Sequence, residues 1–284
     1  MSGTRVPEAG VRVRGLVLGG AVRMLLVEAH GPAEEARRRH GLQLMAAQVS
    51  AEAMVAASLL AAHLKGDESI SLQIQGEVPR MSVYVDHTAE GALRARTTPA
   101  QVDGQPHALQ GLMLTIKAVD GREVYRGITP LSGSIEQGLV RHLTESAQVD
   151  AILRLHARVN EEGVVVAAGG VLFERLAEEP GQPTLDPDAF EARLGHLRTA
   201  DAGALLTELA FGSLGGEALQ ILETQSLEWS CRCSRERVAT MLMSLGEAEI
   251  RSMLEEDGGA EITCHFCNEV YSFDGNALAG LLPS

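Results

Sequence analysis

Four cysteines near the C-terminal end carry the chemistry that this sequence offers most clearly. They are Cys231, Cys233, Cys264 and Cys267, and the 284-residue chain contains no others. The first two form a C-x-C pair and the last two a C-x-x-C pair, separated by residues 234 to 263. Such thiols can form structural disulfides, a catalytic dithiol or a metal site. Because two short chelating pairs are the usual way to build a tetrahedral zinc–sulfur site, the spacing predicts that all four thiolates bind one Zn²⁺.

A permanent disulfide framework is disfavoured by the compartment that we expect for this protein. The apolar run GLVLGGAVRMLLVEA is interrupted by Arg23 and falls short of the ~20 residues needed to cross a bilayer. It also lacks the small-residue cleavage site of a secretory signal peptide. We therefore expect a cytoplasmic protein without a membrane span, and thiols are kept reduced in the cytoplasm.

Catalytic alternatives have weaker support. In a thioredoxin-like site the C-x-x-C motif should open a helix after a strand, whereas Cys264 and Cys267 lie between two strand-like segments. His265 falls inside this tight loop, where four sulfurs are already available, so we assign it no role. The other histidines form no HExxH or comparable cluster, and no dinucleotide-binding, P-loop or G-x-S-x-G motif is present. We therefore predict a protein that is not an enzyme.

The charge balance narrows the range of partners. A formal net charge of −14 argues against broad contact with a nucleic-acid backbone, which needs clustered Lys and Arg. Residues 231–284 have four arginines against nine acidic residues. Three of those arginines, Arg232, Arg235 and Arg237, lie beside the first cysteine pair. They either offset the thiolate charge or form an ordinary solvated helix face, and the sequence leaves both interpretations open.

The segment between the two pairs predicts the elements that hold the cysteines. Two apolar stripes at helical spacing precede a stop at Gly258–Gly259: Val238, Met241, Leu242 and Leu245, then Ile250, Met253 and Leu254. After the second pair, VYSF is predicted to return as the second strand of a hairpin, which makes CHFCN a zinc knuckle. An apolar set this small does not make a dependable core, so a structural metal would supply what the core lacks.

Residues 1–177 are predicted to form an α+β domain. An early strand pair turns at Gly19–Gly20, and two helices divided at Gly41 occupy 32–64. Antiparallel hairpins follow in SISLQIQG, RMSVYVD, GLMLTIKAV and EVYRGIT. A helix from Ser134 to about Ser146 precedes two further strands, DAILRLHARV and GVVVAAGGVLFERL, the second of which can pass into a helix after its Gly-Gly pair.

Residues 178–230 differ from the preceding domain in composition and in the length of their predicted elements. The prolines of EEPGQPTLDPDAF mark a domain boundary, and three short helical pieces are predicted beyond it: Asp188–Arg198, Ala202–Phe211 and Glu217–Glu223. Short helices are marginal unless they pack against something larger. This segment is therefore either a metastable helical linker folded by docking or an ordinary helical layer of the main domain. We assign it as a linker, which leaves 231–284 as a separate small zinc module.

The two cysteine segments closely resemble a known family. CRCSRERVATMLMSLG, followed by EEDGGAEITCHFCNEVYSFD, is similar to the C-terminal zinc module of heat-shock protein 33, the redox-regulated 33-kDa chaperonin. The signature is specific because it combines both cysteine pairs with the SRERV helix start and the EDGG turn. Similarity extends over most of the chain, through LQIQGEVPRMSVYV, GLMLTI, YRGITPLSGSIEQGLVRHLTESAQV and VAAGGVLFERL.

The resemblance implies a redox-regulated, ATP-independent chaperone, or holdase. It implies that the reduced cysteines bind zinc while the chaperone is quiet. Oxidants together with unfolding stress then convert the cysteines to two disulfides, Cys231–Cys233 and Cys264–Cys267, with loss of zinc and unfolding of the module and linker. Unfolding client proteins bind the exposed apolar surface, which protects against oxidative and heat stress, and the oxidised form is a homodimer.

We expect the linker to expose an apolar row on opening: Leu205, Leu206, Leu209 and Phe211. Two other classes of function remain as alternatives. One is a constitutive protein-interaction module with a purely structural zinc ribbon. The other is a thiol oxidoreductase that uses Cys264 and Cys267.

Overall fold

The chain divides into two compact units, Met1–Ser230 and Cys231–Ser284, each with its own hydrophobic core. The computed structural model describes residues 8–146, 148–176, 183–210, 212–214 and 217–282. Helices and sheets are both present, as the α+β prediction requires.

Strands make up most of the larger unit. Their bounds are β1 Gly10–Val17, β2 Val22–Glu28, β3 Glu68–Val78, β4 Arg80–Thr88, β5 Ala92–Thr98, β6 Leu109–Val119, β7 Arg122–Gly133, β8 Ala151–Val159, β9 Val165–Arg175, β10 Ser213–Leu214, β11 Glu217–Ala218 and β12 Gln220–Trp229. Ten of them form one sheet in the order β7-β6-β3-β4-β5-β12-β1-β2-β9-β8. Within this sheet the β12–β5 contact is parallel, and the other neighbouring strands run antiparallel.

The helices of the larger unit are α1 His30–His40, α2 Leu44–Leu60, α3 Ile135–Glu145, α4 Pro187–Leu194 and α5 Ala202–Ala210. The predicted strand pair around Gly19–Gly20 is confirmed as β1 and β2. The predicted division at Gly41 is confirmed as well. Gly41 ends α1 with a φ of 60°, a left-handed conformation that glycine adopts at little cost.

Helix α2 is the centre of the main core. Of its 17 residues, 15 are buried, and they pack among apolar side chains of the sheet such as Leu72, Val85 and Leu172. The segment Leu44–His63 is long and apolar enough to cross a membrane, but its apolar 18-residue window is 89% buried inside the fold. Since the core helix of a globular protein has the same composition, we interpret it as a core helix. The sequence analysis predicted a helix here but did not identify it as long and apolar enough to span a membrane.

Strand β9 corrects one expectation. The chain does not enter a helix after Gly169–Gly170 but continues as a single strand to Arg175. Both glycines allow close packing: a Cβ on Gly170 would lie 2.7 Å from Cγ1 of Val55, and one on Gly169 would lie 2.9 Å from the carbonyl oxygen of Val27. The Gly-Gly pair therefore marks where β9 approaches α2 and β2.

Residues 183–230 belong to the larger unit, and their structure differs from the prediction in one part. Helices α4 and α5 confirm the first two helical pieces, and their buried residues Phe190, Leu194, Leu205 and Leu209 pack against the face of β1, β2, β8 and β9 opposite α2. The prediction of a third helix, at Glu217–Glu223, is wrong. Most of it is strand, because pairing of β12 with β1 outweighs a local apolar spacing that resembles a helix. The predicted boundary at Glu178 and the side chain of Phe211 lie outside the described residues.

The smaller unit comprises α6 Arg235–Leu245, α7 Glu247–Glu256, β13 Gly259–Thr263, β14 Val270–Asp274 and α8 Gly275–Ala279. Helices α6 and α7 carry the two predicted apolar stripes, and β13 and β14 form the predicted hairpin. Among the described residues of this unit, one apolar cluster has five buried side chains: Val238, Leu242, Ile250, Phe273 and Leu278.

Candidate metal centre

Helix α6 fixes the first cysteine pair, because Cys231 and Cys233 immediately precede it. The hydroxyl of Ser234 caps the helix by accepting a hydrogen bond from the backbone N–H of Arg237, at 3.2 Å. A serine in this position satisfies one of the free N–H groups of the first turn. The cap therefore determines where the helix begins and where the cysteines that precede it lie.

A tight turn between β13 and β14 fixes the second pair. The backbone N–H of Cys264 donates to the carbonyl oxygen of Glu269 at 2.9 Å, and that of Asn268 donates to the carbonyl oxygen of Cys264 at 2.8 Å. Asn268 has a φ of 55°, a left-handed conformation that Asn tolerates better than most residues. The turn folds the chain back at Cys267, as the predicted zinc knuckle requires.

The four cysteine sulfurs meet in one cluster. All four Sγ atoms lie within 4.8 Å of one another, with 3.7 Å between Cys231 and Cys264 and 3.2 Å between Cys233 and Cys267. The cysteines are not joined by disulfides. Among the residues that the structure describes, this is the one group of three or more potential ligands close enough to share an ion.

The donor set and its spacing fit a tetrahedral metal ion. Thiolates at ~2.3 Å from a central zinc lie ~3.8 Å from one another, close to the sulfur–sulfur distances in the cluster. Sulfur ligands in a tetrahedron are typical of zinc and of iron–sulfur sites. The site can therefore hold one metal ion, with Cys231, Cys233, Cys264 and Cys267 as its ligands.

Without a metal, burial favours neutral thiols. Desolvation raises the pKa values of the Cys233 and Cys267 thiols, although the phenol of Tyr271 and the backbone of Glu269 each oppose that rise through a hydrogen bond. Metal coordination reverses this preference, since a coordinating thiol is deprotonated outright. Metal binding at this site must therefore release protons.

The arginines beside the first pair make structural contacts. The guanidinium of Arg235 lies 4.1 Å from the centre of the Phe273 ring and donates to the carbonyl oxygen of Ser272 at 2.6 Å. Arg237 donates to the carbonyl oxygen of Arg232 at 2.8 Å. These contacts tie α6 to β14 and to the chain before it. For Arg235 and Arg237 they favour a role in packing over compensation of thiolate charge.

His265 is exposed and lies outside the sulfur cluster. Tyr271, by contrast, belongs to the site, and the sequence analysis missed it. The hydroxyl of Tyr271 donates to Sγ of Cys233 at 3.1 Å. Strand alternation was the available signal, because residues two apart on β14 share a face. Phe273 of that face enters the small core, so Tyr271 must lie on the same side.

The chain is similar in sequence to proteins of one known family. A sequence profile described as Hsp33 protein matches residues 11–274. A 33 kDa chaperonin from Symbiobacterium thermophilum is 35% identical over 92% of this chain and 93% of its own length. The 33 kDa chaperonin of Halalkalibacterium halodurans is 32% identical over 95% of this chain and 97% of its own.

The fold agrees with these sequence relationships. The crystal structure of the 33 kDa chaperonin (heat shock protein 33 homolog) from Thermotoga maritima superimposes with a TM-score of 0.79 at 24% identity, covering 96% of this chain and 97% of that one. The family profile spans both units and all four cysteines. The resemblance inferred from the cysteine segments is thereby confirmed, and the chain belongs to the Hsp33 protein family.

Proposed function

We propose that this protein is a redox-regulated, ATP-independent holdase whose switch is the four-cysteine cluster. In the reduced state Cys231, Cys233, Cys264 and Cys267 would hold one Zn²⁺. The observation that carries the proposal is the meeting of four unbridged sulfurs within 4.8 Å of one another. Bound zinc would supply folding energy to the small unit rather than catalysis.

Oxidation would remove the metal ligands. A thiolate attacks a peroxide oxygen, so that an S–O bond forms, the O–O bond breaks and hydroxide leaves. A second thiolate then attacks the resulting sulfenic sulfur, which forms the disulfide and expels another hydroxide. Each disulfide thus takes two electrons from two thiolates and reduces one peroxide. Two disulfides use all four ligands, and the affinity for zinc is lost.

We propose the pairing Cys231–Cys233 and Cys264–Cys267, following the family. In the folded cluster every sulfur is near every other, so distance does not select one pairing. A disulfide between the pairs would cross-link the segment before α6 to the hairpin and stabilise the compact state. Disulfides within the pairs leave the two segments unconnected. Pairing within each motif is therefore the arrangement that lets oxidation unfold the small unit.

The proposed response extends to a linker, assigned as 178–230, between a chaperone domain at 1–177 and a redox-switch domain at 231–284. Strand β12 ends at Trp229, two residues before Cys231. Helices α4 and α5 cover an apolar face of the sheet. If loss of structure spreads from Cys231 into this segment, unfolding client proteins could bind two newly exposed surfaces. These are the apolar sides of α4 and α5 and the sheet face that they cover. We further propose that the oxidised form is a homodimer and that the protein acts in the cytoplasm during oxidative and heat stress.

One observation favours the alternative, a constitutive interaction module with a structural zinc ribbon. Helix α6 of the small unit exposes Met241, Met243 and Leu245, at 45%, 47% and 51%. Exposed apolar residues of this kind suit a protein partner. Such a module would bind its partner equally well before and after oxidation, whereas the switch would not.

The decisive experiment follows three quantities along one peroxide titration of the full chain at elevated temperature. They are bound zinc per chain, cysteine state by mass spectrometry, and suppression of light scattering by a thermally unfolding client enzyme. The switch predicts one zinc per reduced chain, and zinc loss and client protection that rise together with disulfide content. If zinc stays bound and client protection does not change, the switch is wrong and the alternative with a structural zinc ribbon is supported. Repeated turnover of a disulfide substrate would instead identify a thiol oxidoreductase.

A further inference from the structure

We propose that Tyr271 is a positioning residue of the sulfur cluster, whose hydroxyl donates a hydrogen bond to the Cys233 sulfur and slows both metal loss and oxidation. The inference rests on the proposed function, because it concerns the reduced state of the same four sulfurs. It adds a group that sets how readily the proposed switch responds to oxidant.

The hydrogen bond joins the two halves of the cluster. Tyr271 lies on β14, where it pairs with Ile262 of β13, and β13 and β14 flank the turn that carries Cys264 and Cys267. Its hydroxyl reaches Sγ of Cys233, 38 residues earlier in the chain, at 3.1 Å. The bond therefore connects the hairpin of the second pair directly to a sulfur of the first pair.

The hydroxyl is held in place by its surroundings. The ring is partly buried against the small core, and strand pairing with Ile262 fixes the backbone. On the same strand, the carbonyl oxygen of Ser272 and the ring of Phe273 both contact Arg235, which lies at the start of α6. Since α6 begins two residues after Cys233, one set of contacts positions both the donor and the sulfur.

The chemistry of the two groups gives the bond its direction. A thiolate can only accept a hydrogen bond, and a phenol can donate one. A bond to an ionised acceptor is roughly twice as strong as one between neutral groups. The hydrogen bond lowers the negative charge density on the sulfur. Because that charge makes the sulfur a nucleophile, its attack on peroxide becomes slower. The same bond also orients the sulfur, and partners that orient a metal ligand typically change metal affinity by ~10–100-fold. We therefore expect the hydroxyl to retain the metal through position and to protect Cys233 from oxidant through charge.

Substitution Tyr271→Phe isolates the hydroxyl, because it keeps the ring in the small core. A matched control is Tyr84→Phe, which removes a phenol that donates to Oγ of Ser71 at 3.3 Å in the larger unit. Each full-length protein is reduced and loaded with Zn²⁺. Zinc affinity is then measured by chelator competition, and the rate of zinc release by peroxide is followed with a chromophoric chelator.

A spectroscopic measurement separates this role from simple packing. In the Co²⁺-substituted protein, the sulfur-to-metal charge-transfer band reports the energy of the sulfur lone pairs, while the d–d bands report tetrahedral coordination. Removing a hydrogen bond raises the lone-pair energy and moves the charge-transfer band to longer wavelength. Incorporation of 3-fluorotyrosine at 271, which has a stronger donor hydroxyl, should move the band to shorter wavelength and slow zinc release.

We expect Tyr271→Phe to bind one zinc per chain about 10-fold more weakly, to release it several-fold faster in peroxide, and to shift the charge-transfer band to longer wavelength. Tyr84→Phe should match the wild type in all three. A Tyr271→Phe protein with wild-type affinity, rate and band would overturn the inference and leave the proposed switch intact. A reduced wild-type chain that binds no zinc would overturn the proposed function itself.

Discussion

The two units of this protein reach a folded state by different means. The larger unit surrounds one long helix, α2, of which 15 of 17 residues are buried. The described part of the smaller unit has a cluster of five buried apolar side chains and four sulfurs within 4.8 Å of one another. A unit as large as the first can be stabilised by the hydrophobic effect alone. The second is near the size at which a core alone is not dependable.

This difference shows why redox chemistry suits the smaller unit. Structural zinc contributes ~10–16 kcal/mol of apparent binding free energy in small modules, and that energy is folding energy. If the cluster binds zinc as proposed, a chemical change at four sulfur atoms would remove most of the stability of the smaller unit. The same event removes no buried apolar contact from α2. On the proposed function, chemistry at the sulfurs would therefore act directly on the order of the smaller unit, and it would reach the larger unit only through residues 178–230.

The largest effect should follow from removing the metal ligands. We expect Cys231→Ser, or a strong chelator, to unfold most of 231–284 while α2 stays protected, because the smaller unit loses up to ~10–16 kcal/mol. Hydrogen exchange with mass spectrometry measures this directly. Amides of α6, α7 and β14 should exchange like an unfolded chain, whereas those of α2 should not change. Persistent protection of α6 without metal would show that the small core suffices.

A cavity in the core of the larger unit tests whether a loss of stability there leaves zinc binding in the smaller unit unchanged. Leu59 is completely buried on α2, so Leu59→Ala should destabilise the larger unit by about 2.7–5 kcal/mol. Urea unfolding of the larger unit measures the loss, and zinc content should remain at one per chain. The control is Leu44→Ala on the same helix, where the side chain is 59% exposed and the cost should be small. A large loss of zinc in Leu59→Ala would contradict the independence of the two units.

The sequence predicted the local structure of the smaller unit better than the architecture of the larger one. Cysteine spacing and strand alternation are local signals, and they placed Cys264, Cys267 and the returning strand correctly. Position in a sheet is not local. Strand β12 lies between β5 and β1, although more than 100 residues separate it from either. Nothing in its own residues revealed those partners, and a helical spacing was inferred instead.

The buried carboxyl of Glu52 gives the larger unit a pH dependence of its own. Desolvation raises its pKa to about 7 from 4.5, so the folded state binds a proton that the unfolded state has lost. The stabilisation is complete below pH 4.5 and is lost as pH rises through 7, by roughly 3 kcal/mol in total.

We therefore expect Glu52→Gln to be more stable than the wild type at pH 8 and to differ least near pH 4.5, as measured by urea unfolding at several pH values. The control Glu90→Gln alters an exposed carboxylate and should follow the wild-type profile. A constant difference between Glu52→Gln and the wild type across this range would show that Glu52 does not titrate with folding.

The smallest effect allows a direct comparison of the two units, because in each unit a serine caps a helix through a hydrogen bond of the same length. Ser134 accepts from the backbone N–H of Gln137 at 3.2 Å at the start of α3, and Ser234 accepts from that of Arg237 at 3.2 Å at the start of α6. Either Ser→Ala change should cost ~1 kcal/mol. In the larger unit that loss should appear only in the free energy of unfolding.

In the smaller unit the same loss should appear in zinc affinity, because folding and metal binding are one process there. Ser234→Ala should weaken zinc binding about 5-fold, the equivalent of ~1 kcal/mol, whereas Ser134→Ala should leave it unchanged. Chelator competition on the two variants measures both values. Equal zinc affinities would mean that α6 is folded without metal, and the smaller unit would then resemble the larger one in the source of its stability.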